Sequence, residues 1–363
     1  MTTPTQIQPG KQRHIDKRWL QLLMLQLVSC VVSNQDVQFK DVSTNTNNVL
    51  ILTSLKASLI SLFLCIPIQT VSAFEIEGDS ISRDDGSLIT YYLDAALPKQ
   101  ENVLLVILHG SDCNSVTKVA SIENELRTSW PGSDLLTIEK YGLGSGLPYS
   151  SDGERPDCPK EYLLNDTPEQ RANDVVSVLG HLKQHHKYKH IVVLGGSEGG
   201  LISNLVASRV NYLSASISFN GGGRWFLDDV IHSIRSQTKS PVNADEEVQG
   251  FKQFAKQIVS GKPFDLDMSN HGYAWWHNAL TIDQEDVALK IDSPVLLIQA
   301  LLDTSVSPSH AAAMAKNLES FGKSNLVYKE YDNLDHSLND GFGEPQMSLV
   351  VKDLETWLKG ILK

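Results

Sequence analysis

Cysteine is scarce: four in 363 residues, at positions 30, 65, 113 and 158. That is too few for a disulfide-built scaffold, and no C-x-x-C pair or tight Cys/His spacing offers a structural zinc site. A basic excess is missing as well. With 31 Lys and Arg against 43 Asp and Glu the net charge is −12, so no chain-wide positive field exists to hold phosphates and no nucleic acid partner is expected. Neither G-x-x-x-x-G-K-[ST] nor G-x-G-x-x-G occurs, and no internal repeat or low-complexity tract is visible. Nothing calls for a metal or an organic cofactor. What is present is an ordinary globular composition, 41% apolar and 20% charged, held together by its core.

Residues 1–73 differ from the rest. They carry two apolar runs, 19–33 and 49–68, without the glycine punctuation of alternating strands and helices. The second run has the order of a secretory signal: Lys56, then the apolar stretch SLISLFLCIPI at 58–68, then small residues at Val71-Ser72-Ala73. Cleavage after Ala73 and export to a periplasmic or secreted location are expected, with a start site downstream of Met1. The first run ends in Leu27-Val28-Ser29-Cys30, which resembles a lipoprotein signal, although Gln21 and Gln26 interrupt it. The alternative is membrane attachment through 49–68, long enough to span but carrying Lys56 and Pro67.

From Phe74 the punctuation becomes regular. Residues 74–77 and 87–94 read as a hairpin around Asp84-Asp85-Gly86. The runs at 103–108, 134–138, 190–194, 214–219 and 294–299 are short and almost continuously apolar, as strands buried on both faces must be. Helical patterns separate them, at 116–127, 167–185, 199–210, 309–321 and 346–362; the second of these patterns opens with Thr167-Pro168-Glu169-Gln170, a cap with Pro at N1. The fold class is therefore α/β, a mostly parallel sheet with helices on both faces. Between about 222 and 290 buried strand runs are missing, and helical segments at 225–236 and 246–258 precede the aromatic stretch His271 to His277. This interval is expected to be a small helical cap inserted in a domain spanning 74–363.

The strand at 190–194 runs directly into Gly195-Gly196-Ser197-Glu198-Gly199-Gly200 and then into an apolar helix. A nucleophile that projects from a strained strand-to-helix turn needs small residues two before and two after it, which Gly195 and Gly199 supply. The backbone N–H of Glu198, at the helix start, would face a developing oxyanion.

On this motif and its context the chain resembles the α/β-hydrolase family over nearly all of residues 74–363. The resemblance implies an acid after a late strand and a base after the last one. Asp303, closing Ile298-Gln299-Ala300-Leu301-Leu302-Asp303, and His336, in Asn333-Leu334-Asp335-His336-Ser337 after the strand candidate 326–331, occupy those places. Asp332 and Asp335 remain rivals for orienting the base. His336 would take the Ser197 proton, Asp303 would fix the imidazole, and attack on a carbonyl would give an acyl-enzyme that water hydrolyses. The second oxyanion donor is expected in the loop Leu108-His109-Gly110-Ser111, from Ser111 or else Gly110. Cys113 in the same loop and Cys158 are the two cysteines left after export, and an oxidising compartment would bridge them.

The implied activity is metal-independent serine hydrolysis of a carboxylic ester or related acyl bond in a small-molecule substrate. Peptidase, thioesterase and acyltransferase chemistry share the fold, and a non-catalytic binding protein is the alternative of a different class. Tyr273, Trp275 and Trp276 are candidates to line a substrate pocket, or simply to pack the cap onto its base.

Overall fold

The computed structural model describes residues 78–96 and 102–363. Both N-terminal runs, Cys30, Cys65, the cleavage site at Ala73 and the expected strand at 74–77 lie outside the described residues. Among the described residues no helix is long and apolar enough to cross a membrane.

Among the described residues eight strands form one sheet: β1 (Asp79–Ser82), β2 (Leu88–Asp94), β3 (Val103–Leu108), β4 (Asp134–Ile138), β5 (His190–Gly196), β6 (Ala215–Phe219), β7 (Val295–Ala300) and β8 (Leu326–Tyr331), in the order β1-β2-β4-β3-β5-β6-β7-β8. β2 pairs antiparallel with β1 and β4, and every later pair is parallel. The first hairpin sits closer to its turn than the sequence suggests. Gly86 takes φ +84°, the Arg83 N–H donates to Ser87 O, and pairing begins at once with Ser82 opposite Leu88.

The alternation of β3 divides the core. Leu104, Val106 and Leu108 face a cluster containing Val175, Leu179 and Ile202, on helices α3 (Pro168–His185) and α4 (Glu198–Ala207). Val103, Leu105 and Ile107 face the opposite cluster, closed by Val350, Leu354 and Leu358 of the C-terminal helix Met347–Ile361. Thr167 caps α3 as expected, its side chain accepting from the Gln170 N–H at 3.0 Å. The expected helix at 116–127 is broken into two 3₁₀ turns, Val116–Lys118 and Leu126–Ser129, around a short α1 (Ala120–Asn124). β-Branched Val116, Thr117 and Val119 favour the break, and Val119 itself is extended.

Between β6 and β7 lie α5 (Phe226–Gln237), α6 (Pro241–Ser260), α7 (Tyr273–Thr281) and α8 (Gln284–Leu289). The first three share a core of their own, built on Val230, Ile234, Phe251, Phe254, Ile258 and Trp276. This is a helical cap over the carboxyl ends of the central strands, where ligands bind in open α/β sheets.

Candidate active site

Ser197 links the end of β5 to the start of α4 with φ 54° and ψ −128°, a conformation that a non-glycine residue holds only when its surroundings enforce it. The glycines make the turn possible. A Cβ on Gly195 would stand 2.0 Å from Gly199 O, and one on Gly199 would stand 2.1 Å from Leu108 O. The Ser197 N–H donates to Phe219 O at 2.9 Å, tying the turn to β6.

His336 reaches Ser197 from the loop after β8. Its Nε2 is 3.2 Å from Ser197 Oγ and its Nδ1 is 2.7 Å from Asp303 Oδ2. A carboxylate only accepts, so Nδ1 carries the proton and Nε2 is left to accept from the serine. Asp303 Oδ1 accepts the Ser305 and Val306 N–H groups, each at 2.8 Å, and Gln299 Nε2 approaches Oδ2 at 3.3 Å. The rival carboxylates lie elsewhere: Asp335 is occupied by the Ser337 and Asn339 N–H groups, and Asp332 is exposed. Asn220, missed from the sequence, fixes the base loop. Its Nδ2 donates to His336 O and its Oδ1 accepts from the Ala300 N–H, both at 2.9 Å.

Burial opposes a charge on His336, but Asp303, by charge and hydrogen bond, with Asp335 and Asp229 behind it, outweighs that and raises its pKa above the ordinary 6.5. Asp229 on α5 is pushed up to about 7 by burial and by neighbouring Asp303, against the two backbone N–H groups, of Ser307 and Gly223, that it accepts. The cap thereby holds the segment that follows the acid. His232 Nε2, also on α5, donates to Asp303 O at 2.9 Å.

The loop after β3 passes directly over the serine: a Cβ on Gly110 would be 3.5 Å from Ser197 Cβ. Ser111, Ser197 and Glu198 together border a cavity of about 80 Å³. As the first residue of α4, Glu198 has an N–H with no intrahelical acceptor. Its side chain is buried and accepts two hydrogen bonds from the scaffold, Oε2 from Arg171 Nη1 and Oε1 from Trp275 Nε1, both at 2.9 Å. Cys113 and Cys158 are joined in a disulfide, so the loop is covalently attached to the segment preceding α2 (Lys160–Asn165).

Of the three aromatic candidates for substrate contact, Trp275 alone borders the cavity, together with Phe226, Val230 and Ile282. Trp276 is corrected to a cap-core residue: it is 1% exposed, packs against Phe251 and Phe254 and donates to Met268 O. Tyr273 likewise closes the cap, its hydroxyl donating to Ile258 O at 2.6 Å. Adjacent helical positions point about 100° apart, so two neighbouring tryptophans cannot share one wall. Arg224 is paired with Asp283 and Glu285.

An eight-stranded, mostly parallel sheet with a serine elbow defines the class: this is an α/β-hydrolase fold carrying a serine-hydrolase site. The sequence profile of the prolyl oligopeptidase family matches residues 161–363, and the chain belongs to that family. It is similar in structure to Est1E from Butyrivibrio proteoclasticus, with 17% identity, a TM-score of 0.52, and coverage of 78% of this chain and 98% of Est1E. The same enzyme with ferulic acid bound matches with 16% identity, a TM-score of 0.52, and coverage of 78% and 99%. A chain assigned as a dipeptidyl aminopeptidase IV from Bacteroides ovatus matches with 13% identity and a TM-score of 0.51 over 78% of this chain and 35% of its own length. At these identities the likeness concerns the fold. No curated protein matches the sequence.

Proposed function

We propose that the protein hydrolyses a carboxylic ester, or a closely related acyl bond, through a covalent acyl-Ser197 intermediate. The observation that carries this reading is the continuous chain Asp303 to His336 to Ser197, with hydrogen-bond distances of 2.7 and 3.2 Å, at a serine held in a strained elbow. His336 Nε2 takes the Ser197 proton as Oγ attacks the carbonyl. Asp303 holds the imidazole and stabilises its charged form. The Glu198 N–H, with that of Ser111 or Gly110, stabilises the oxyanion, and the protonated His336 then delivers its proton to the leaving oxygen. Water, deprotonated by the same His336, releases the acid.

The mostly apolar cavity beside Ser197 and the binding of ferulic acid by Est1E support a small acyl group, with Trp275 as one wall of its pocket. The family match favours a second reading, peptide-bond hydrolysis on the same triad. Fluorophosphonate labelling of wild type and Ser197→Ala, with intact mass, tests the nucleophile: one adduct on the wild type and none on the variant is expected, and equal labelling of both would refute the role of Ser197. Turnover of p-nitrophenyl acyl esters without turnover of peptide anilides separates the readings, and the reverse pattern selects the peptidase. We further propose that the protein works outside the cytoplasm, periplasmic or secreted, for which the signal-like order of residues 56–73 and the Cys113–Cys158 bridge are the support. A mature N-terminus other than residue 74 would refute the cleavage site.

A further inference from the structure

The loop that crosses Ser197 is gripped by its carbonyls. Arg171 Nη2 donates to His109 O at 3.0 Å, His271 Nε2 to Ser111 O at 2.9 Å, Lys140 Nζ to Asp112 O, and Arg155 Nη1 to Cys113 O at 2.8 Å. In a planar trans peptide the C=O and the following N–H point in opposite directions. Fixing the His109 and Ser111 carbonyls therefore fixes the peptide units on both sides of the one that carries the Ser111 N–H. Three of the four donors belong to the hydrolase body. His271 belongs to the cap.

The cap is built to present that imidazole. Ser269 and Asn270 both take left-handed backbone, with φ 54° and 57°, and turn the chain so that Met268 and His271 exchange backbone hydrogen bonds. Gly272 lies so close to α2 that a Cβ would stand 1.7 Å from Leu163 O, which seats the start of α7 against the body. His271 is 3% exposed. Burial, followed by the charge of Lys140, holds its pKa well below the ordinary value, so it is neutral. Its Nε2–H then donates to Ser111 O, and Nδ1 faces the Tyr162 hydroxyl at 3.3 Å. Its ring lies flat on Trp275, with centroids 3.7 Å apart and 11° between planes. Trp275 borders the cavity and donates to Glu198.

We propose that His271 is a positioning residue for the oxyanion loop, and that through its stack on Trp275 it ties the wall of the acyl cavity to the peptide units that flank the Ser111 N–H. The inference rests on the acyl-transfer reading of Ser197. It makes kcat, rather than KM, the quantity that senses the cap.

The test compares wild type with His271→Phe, which keeps a flat ring on Trp275 but has no donor, and His271→Gln, which keeps a donor. Rates on p-nitrophenyl butyrate are normalised to fluorophosphonate-titrated sites, so that a loss of folded protein does not register. His271→Phe should lose about 10- to 100-fold in kcat, somewhat less than removal of an oxyanion donor outright, with KM changed less than about threefold. His271→Gln should recover most of the loss. An unchanged kcat in His271→Phe, or a Gln variant as slow as the Phe variant, would overturn the proposal. If His271→Phe does not fold, His271→Leu takes its place with the same expectation. Amide hydrogen exchange over residues 109–115, which needs no turnover, should be faster in His271→Phe than in wild type and restored in His271→Gln; identical exchange in all three overturns the positioning role. Wild-type protein that neither labels nor turns over would instead defeat the hydrolase reading, and the exchange measurement would still decide whether His271 holds the loop.

Discussion

Arg171 and Glu198 form an ion pair in which each side chain is only 5% exposed. Removing one partner strands the other. Arg171→Met leaves the Glu198 carboxylate in the interior with Trp275 Nε1–H still donating to it, and breaking such a pair costs about 3–5 kcal/mol. It also deprives the His109 carbonyl of Nη2, which adds about 1 kcal/mol. Glu198→Met strands the guanidinium, which keeps its bond to His109 O, and the expected cost is about 3–5 kcal/mol without the extra term. The double variant replaces both charges with apolar groups of similar length, so it should lie within about 2 kcal/mol of wild type, giving a coupling of several kcal/mol. Equilibrium urea unfolding of the four proteins, with m-values shown to be equal, measures this cycle. Single variants that each cost less than about 1 kcal/mol, or costs that simply add, would refute the claim that this buried pair is mutually dependent.

What the sequence disclosed, and what it hid, follows from how far apart the interacting residues lie. β3 to β7 are visible because strands buried on both faces must be continuously apolar, and the elbow is visible because Gly195 and Gly199 stand where the backbone of the turn leaves no room for a Cβ. Asp303 and His336 follow strand ends, so chain order and resemblance together locate them. Arg171 gives no such signal. On an amphipathic helix it reads as part of the polar face, and only Glu198, 27 residues on, explains its burial. His271 is separated by 160 residues from the carbonyl it holds, and His-Gly before an aromatic run is as compatible with a surface turn. The paired tryptophans mislead for a different reason. Composition locates an aromatic cap, but the helical rotation between Trp275 and Trp276 decides which one meets the cavity, and that phase is set by cap residues such as Phe251 and Phe254.

Three further outcomes are expected. The acid limb of kcat/KM should lie above pH 6.5, because the net effect of Asp303, Asp335 and Asp229 against burial raises the His336 pKa; activity falls as pH drops through it, and a limb below 6 would contradict the described electrostatics. Asp166 is buried, with its pKa pushed up to about 7 by burial and by Glu198 against the pull of Arg171 and Lys140. A raised carboxyl binds its proton more tightly in the folded chain, so its contribution to stability is full below the unfolded value near 4 and is lost as pH rises toward 7. Asp166→Asn should therefore match wild type in thermal unfolding at pH 4 and exceed it at pH 8, and a variant less stable at pH 8 would sink this reading. Finally, the Cys113–Cys158 bridge closes a separation of 45 residues, worth about 4 kcal/mol if it acts by restricting the unfolded chain. The folded loop is held independently: Arg155 grips the Cys113 carbonyl and Lys140 the Asp112 carbonyl. Replacing both cysteines by alanine should therefore lower unfolding stability by about that amount while kcat at 25 °C stays within about threefold of wild type. A collapse of kcat with little loss of stability would mean that the bridge, rather than the carbonyl grips, shapes the loop above Ser197.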